Sequence, residues 1–208
     1  MSSATPLFLA PLRLEALAAR RGAPGASVVQ IGMGPVRATA ARVRTASGEP
    51  PGRPLVLLGF GGGLTAEERA GELVVASSVG PIDAEESFVF PEAESAAAHL
   101  AACGVAARLA PIVSSPTMLA GTHARDRAAA TGARVVDMET LWCAPLARRH
   151  PFVVVRAVVD TRGRELRSPA TPLAALRAWR ALVVAARALA HWDPESVFAY
   201  PLLEVGDS

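Results

Sequence analysis

Lysine is absent from this chain: all 21 of its basic residues are arginine. Against 19 acidic residues the formal net charge is only +2, and the arginines are scattered rather than clustered. Nucleic-acid binding needs a basic patch or stripe, so no nucleic-acid partner is expected. Cysteine is scarce. Cys103 and Cys143 stand far apart with no second ligand near either, whereas structural zinc takes its Cys and His ligands in close pairs. No metal is expected, and both thiols read as free and buried. Long apolar runs are missing too. A membrane-spanning helix needs about 20 apolar residues; the longest run, Ala181 to Ala186, lies between Arg180 and Arg187. The first residues carry no charged region ahead of their short apolar run, which argues against a signal peptide. A soluble, cytoplasmic protein is the expectation.

What is present is a rhythm of short β-branched runs and longer amphipathic stretches. At 208 residues the chain is read as one domain with a sizeable core. Strands are predicted at Leu7 to Ala10, Ser27 to Ile31, Leu55 to Leu58, Leu73 to Ser78, Ala107 to Val113, Val135 to Asp137 and Phe152 to Asp160. Helices are predicted at Leu12 to Arg21, Val36 to Arg44 (opened by Pro35), Glu92 to Cys103 and Met118 to Thr131. Two more follow, Thr140 to Arg149 with a kink at Pro145, and Leu173 to Trp192. Gly59 to Gly63 are expected to break the third strand, Gly80 to Glu86 to form a loop or edge, and Arg162 to Pro172 to form a loop. Strands alternating with helices give an α/β fold with a mostly parallel or mixed sheet between helical layers.

Two segments carry the chemistry. Phe152 to Asp160 is an apolar run that stops on a carboxylate, at the strand end where open α/β sheets place ligands. Val135 to Glu139 puts another carboxylate, Glu139, at the start of a helical pattern. One acid can protonate a leaving group while the other hydrogen-bonds a sugar diol. The blander alternatives are that Asp160 caps the next loop and pairs with Arg162 or Arg164, and that Asp137 or Glu139 serves a helix start. Gly32-Met33-Gly34 lacks a third glycine three residues on, where Arg37 stands, so a dinucleotide-binding turn is disfavoured.

In their order along the chain, these segments resemble the nucleoside phosphorylase/nucleosidase superfamily. The likeness is greatest to its methylthioadenosine/S-adenosylhomocysteine nucleosidase branch. Pro11 to Ala16 resembles the segment after the first strand, Ile31 to Ala38 the family's Gly-x-Gly-x-x-x-Ala turn and helix start, and Gly59 to Leu64 its Gly-rich loop. Gly71 to Ala76 resembles the strand after that loop. Ile112 to Pro116 resembles the base-contacting segment ahead of the Met138-Glu139 motif. The resemblance implies a three-layer α/β/α sandwich around a central mixed β-sheet. It also implies a homodimer, a small-molecule nucleoside substrate and no cofactor. It assigns Asp160 as the acid at the purine, a role that burial at an apolar strand end would suit by raising its pKa. Glu15 becomes the base that activates water, rather than a Glu on a solvated helix face. Glu139 becomes the ribose ligand, with Met138 packed on the sugar. Phe60, Gly61, Gly62, Ser114, Ser115, Pro116 and Val159 become the base site or pocket wall. Several positions depart from the family pattern: Arg13 and Leu14 replace acidic neighbours, Phe60 and Val159 replace serines, and Pro116 stands near a missing Asp.

Arg37 is the only basic residue near the first glycine turn, and no second arginine stands beside Gly59 to Gly63 in sequence. Phosphate would also meet the Glu15 anion, so hydrolysis is favoured over phosphorolysis. The reading is a nucleosidase for a 5′-substituted adenosine. The Phe60-Gly61 and Asp137-Met138-Glu139 forms look like the hopanoid-associated adenosylhopane branch. Methylthioadenosine/S-adenosylhomocysteine nucleosidase, futalosine-type hydrolase, purine nucleoside phosphorylase and a non-catalytic nucleoside-binding relative remain as alternatives.

Overall fold

Strands buried on both faces form the spine of the molecule: β1 (Leu7–Ala10), β3 (Leu55–Gly63), β4 (Leu73–Pro81) and β8 (Phe152–Asp160). The structure, a computed structural model, describes residues 5–84, 86–119, 121–161 and 171–194. β2 (Val28–Gln30), β5 (Phe88–Val89), β6 (Arg108–Ser114) and β7 (Val135–Asp137) complete a mixed sheet. Its order is β2-β1-β3-β7-β6-β4-β5, with β8 joined to both β3 and β4. β3 pairs with β8 and β7, β4 with β8 and β6, and β6 with β7, so these strands close into a ring.

Helices α1 (Arg13–Gly22), α3 (Ala93–Ala102) and α6 (Thr171–Leu189) pack together on one side of the sheet. On the other, α2 (Pro35–Gly48) packs with α5 (Thr140–Cys143). The expected layers are therefore present. A second, smaller apolar cluster seats α4 (Thr122–Ala129) through Ala128 against Leu64, Val113 and Val136. No helix among the described residues is long and apolar enough to cross a membrane.

Several local expectations change. Residues 140–149 are not one kinked helix: after Cys143 the chain tightens into a 3₁₀ turn, Ala144–Arg148. Pro145 has no N–H for the next α-helical bond, and its ring crowds the preceding turn. α4 starts only after Gly121, whose φ is 82°, so Met118 and Leu119 stay outside the helix. The loop predicted from Arg162 lies outside the described residues, except that Thr171 and Pro172 already belong to α6. Cys143 is buried as expected, but Cys103 is exposed at the end of α3.

The largest change is at the glycines. Gly59 to Gly63 do not break β3; they continue it, paired along β8 and then with β7. They are small because neighbouring side chains occupy the space a Cβ would fill. A Cβ at Gly59 would lie 2.3 Å from Arg156 Nη1, and one at Gly61 would lie 2.3 Å from Val135 Cγ1. Gly61→Ala should therefore overpack the ring and destabilise by about 1–3 kcal/mol. Thermal melting should register a drop of several degrees.

Candidate active site

The site forms where β1, β7 and β8 end against the glycines of β3. Glu15, in the first turn of α1, is buried rather than solvated. Its Oε2 accepts the Leu12 N–H at 2.6 Å, and its Oε1 accepts the Phe60 N–H at 2.7 Å. The first bond satisfies an N–H left over at the helix start, and the second ties α1 to β3. Burial raises the carboxyl's pKa above its ordinary value, against the pull of these donors and of Arg156.

Arg156 interrupts the apolar run of β8 and is completely buried. A buried guanidinium needs paired acids. Its Nη2 forms an ion pair with Asp137, donates to Thr140 Oγ1 at 2.9 Å and lies 3.7 Å from Glu139 Oε2. Its Nη1 and Nε have no protein hydrogen-bond partner among the described residues. Nη1 and Glu15 Oε1 flank the same space beside Gly59. Asp137 also accepts hydrogen bonds from Ser114 Oγ, Thr140 Oγ1 and the Thr140 N–H. It thereby serves the start of α5 and leaves Glu139 for other work.

Glu139 Oε1 accepts the Gly34 N–H at 3.0 Å. Burial pushes its pKa up to about 7; Arg156 opposes this and Asp137 adds to it. A carboxyl raised on folding contributes stability below its unfolded value of 4.5 and loses that contribution as pH rises through about 7. Ligand-free Glu139→Gln should therefore melt above the wild type at mildly alkaline pH. The gap should shrink as pH falls through 7 towards 4.5. Melting curves across that range check the sign; a variant that melts lower throughout would refute it.

Asp160 ends β8 at a β-bulge. Gly61 pairs with Val158 and Gly62 with Asp160, so Val159 is the extra residue. Such bulges re-aim side chains. Asp160 Oδ1 here sits 2.9 Å from the position of a Cβ at Gly62. Oδ2 pairs with Arg125 Nη2 at 2.5 Å, and Arg125 Nη1 donates to the Gly63 carbonyl at 2.7 Å. The strand end is thus not purely apolar. Arg162 and Arg164 lie outside the described residues; Arg125 of α4 is a partner that sequence spacing gives no reason to choose.

Glu15, Phe60, Gly61, Gly62, Met138, Glu139, Val159 and Asp160 all line one cavity of about 290 Å³. Ser114, Ser115 and Pro116 do not. Ser114 is held by Asp137, Ser115 Oγ donates to the Thr117 carbonyl at 2.6 Å, and Pro116 is exposed on the surface. The following residues, Thr117, Met118 and Leu119, form that wall instead. Arg125 and Asp137 line the cavity too, whereas Arg156 is completely buried beside Gly59 and reaches the site through Asp137. The arginines missing from the sequence neighbourhood of Gly59 to Gly63 are therefore supplied in space, but each is already paired with carboxylates. No group of three or more His, Cys, Asp or Glu among the described residues could hold a metal ion.

Comparison with known proteins places the chain. The model of the phosphorylase superfamily matches residues 17–190. The chain belongs to this superfamily. No curated protein matches it in sequence. Solved structures share its fold. Helicobacter pylori 5′-methylthioadenosine/S-adenosyl homocysteine nucleosidase superposes with a TM-score of 0.77 at 14% identity, covering 91% of this chain and 98% of that one. The futalosine hydrolase of the same organism gives 0.76 at 13%, covering 90% and 97%. The nucleosidase of Neisseria meningitidis, solved with methylthio-immucillin-A, gives 0.72 at 16%, covering 89% and 96%.

Proposed function

We propose that this superfamily member is a nucleosidase that hydrolyses the N-glycosidic bond of a 5′-substituted adenosine. One observation carries the reading. Glu15, Glu139 and Asp160, far apart in sequence, line a single cavity with their carboxyls fixed by separate partners. Asp160 shares a proton with purine N7, so that the base leaves as a neutral molecule. Glu139 accepts the ribose hydroxyls, and Met138 packs on the sugar. Glu15, with its raised pKa, takes the proton of the attacking water. A base poised nearer neutrality than an ordinary carboxylate suits that task.

Hydrolysis is favoured over phosphorolysis because Glu15, Asp137, Glu139 and Asp160 surround the only two arginines described at the glycines, Arg125 and Arg156. Each guanidinium is already held by a carboxylate, Arg125 by Asp160 and Arg156 by Asp137, so a phosphate dianion would have to displace those carboxylates. In phosphate-free buffer the products should be free base and free ribose derivative. A ribose 1-phosphate whose formation tracks phosphate concentration would reverse the assignment.

An apolar 5′ group, as in an adenosylhopane, is the substrate we favour. Leu12, Met33, Phe60, Met118 and Leu119 supply most of the remaining wall, and Leu12, Met33 and Met118 are exposed. Buried apolar surface contributes about 25 cal/mol per Å². The test is kcat/KM for a 5′-alkyl adenosine against S-adenosylhomocysteine. A ratio well below one would assign the thioether nucleosides instead. Release of no base from any adenosine, with a ligand-induced rise in Tm, would mark a binding relative.

A further inference from the structure

We propose that the outer face of α1 and α6 docks on an anionic lipid surface. The two helices lie side by side and run in the same direction. Trp179 Nε1 donates to the Leu14 carbonyl at 3.1 Å, and further along Gly22 abuts Val183 and Ala186. A Cβ at Gly22 would lie 2.2 Å from the Val183 carbonyl, so this glycine sets the close approach. Packed helix axes lie about 8–10 Å apart, so the outward stripes of both helices form one continuous face.

That face is apolar and cationic. On α6 the exposed positions Leu173, Leu176, Arg177, Arg180, Val184 and Arg187 follow one helical stripe. On α1 the stripe is Arg13, Leu14, Leu17, Arg20 and Arg21. The apolar members are between 41% and 59% exposed. α6 contains no acidic residue, and the single acid of α1, Glu15, is turned into the active site. Soluble proteins seldom leave leucines grouped in this way without a partner. Leucines interleaved with arginines, with no exposed acid on either helix, match a bilayer interface, where apolar side chains enter the acyl boundary and cations meet anionic headgroups. A second copy fits poorly, since a two-fold contact would set these arginines against themselves. Nucleic acid would use the arginines and leave the leucines in water. The residue preceding α1, Leu12, also lines the cavity, so the docking face and the cavity share an edge.

The full chain is sedimented with phosphatidylcholine vesicles, with and without phosphatidylglycerol. Binding is expected only where phosphatidylglycerol is present, and it should weaken with salt. Arg177→Gln with Arg180→Gln should lower the partition constant by roughly tenfold or more, since each arginine near an anionic surface contributes a factor of about five. Leu17→Gln with Leu176→Gln should also lower it, at unchanged net charge. None of these side chains lines the cavity, so turnover of a water-soluble nucleoside and Tm should stay at wild-type values. Failure to sediment with phosphatidylglycerol vesicles would overturn the proposal. So would binding that ignores the leucine pair, or a concentration-dependent dimer that the same substitutions disperse.

Discussion

Asp160→Asn should lower kcat by about two to four orders of magnitude, the usual contribution of a positioned general acid. It should also cost stability, although the substitution is isosteric. Arg125 is buried against this carboxyl, and removing one member of a buried ion pair strands the other, at about 3–5 kcal/mol. The two losses can be separated. Arg125→Gln added to Asp160→Asn removes the stranded charge, so Tm should recover while kcat stays low. Recovery of both would mean that Asp160 acts through the fold alone. Near wild-type turnover in the single variant would end its assignment as the acid.

Glu15→Gln should be comparably damaging, with a loss of about 10² to 10⁴ in kcat. The pH profile tells more than the magnitude. If Glu15 must be ionised to accept the water proton, kcat/KM in the wild type should rise with pH through a value above the ordinary carboxylate range, as its raised pKa requires. The Gln variant should lose that rising limb. A secondary cost is expected, because Gln has one acceptor oxygen where Glu15 uses two, for the Leu12 and Phe60 N–H groups. An unsatisfied buried donor costs about 1–3 kcal/mol, so activity is best compared below the onset of melting. A variant that keeps both rate and limb would reassign the base.

The strands and helices were legible wherever periodicity and punctuation agreed. α1 stops at Gly22, α2 begins at Pro35 and β8 runs to Asp160, as the pattern suggests. Glycine misled, because a run of glycines signals either a free turn or a crowded strand. Only the neighbours decide: Arg156 and Val135 arrive from segments more than 70 residues away in sequence. The serine segment misled for a related reason. Ser114 is taken up by Asp137, and its segment reaches the cavity only at Thr117, three residues past the end of β6. Arg156 did carry a signal, as a lone charge within an apolar strand. Arg125 carried none, since Arg127 on the same helix looks identical in sequence yet pairs with Asp83 at the surface.

Among the described residues, the cations that pair with the site's acids, Arg125 and Arg156, are guanidiniums, which keep their protons throughout the range in which proteins stay folded. The electropositive frame of the site is therefore invariant, and every proton that the cleft gains or loses near neutrality belongs to a carboxyl. Glu139, poised at about 7, makes this visible without any turnover. A diol that donates hydrogen bonds to Glu139 favours its anion, so binding at neutral pH should expel a fraction of a proton into the medium. Calorimetry of a bound, unreactive nucleoside should then give a heat that varies with the ionisation enthalpy of the buffer.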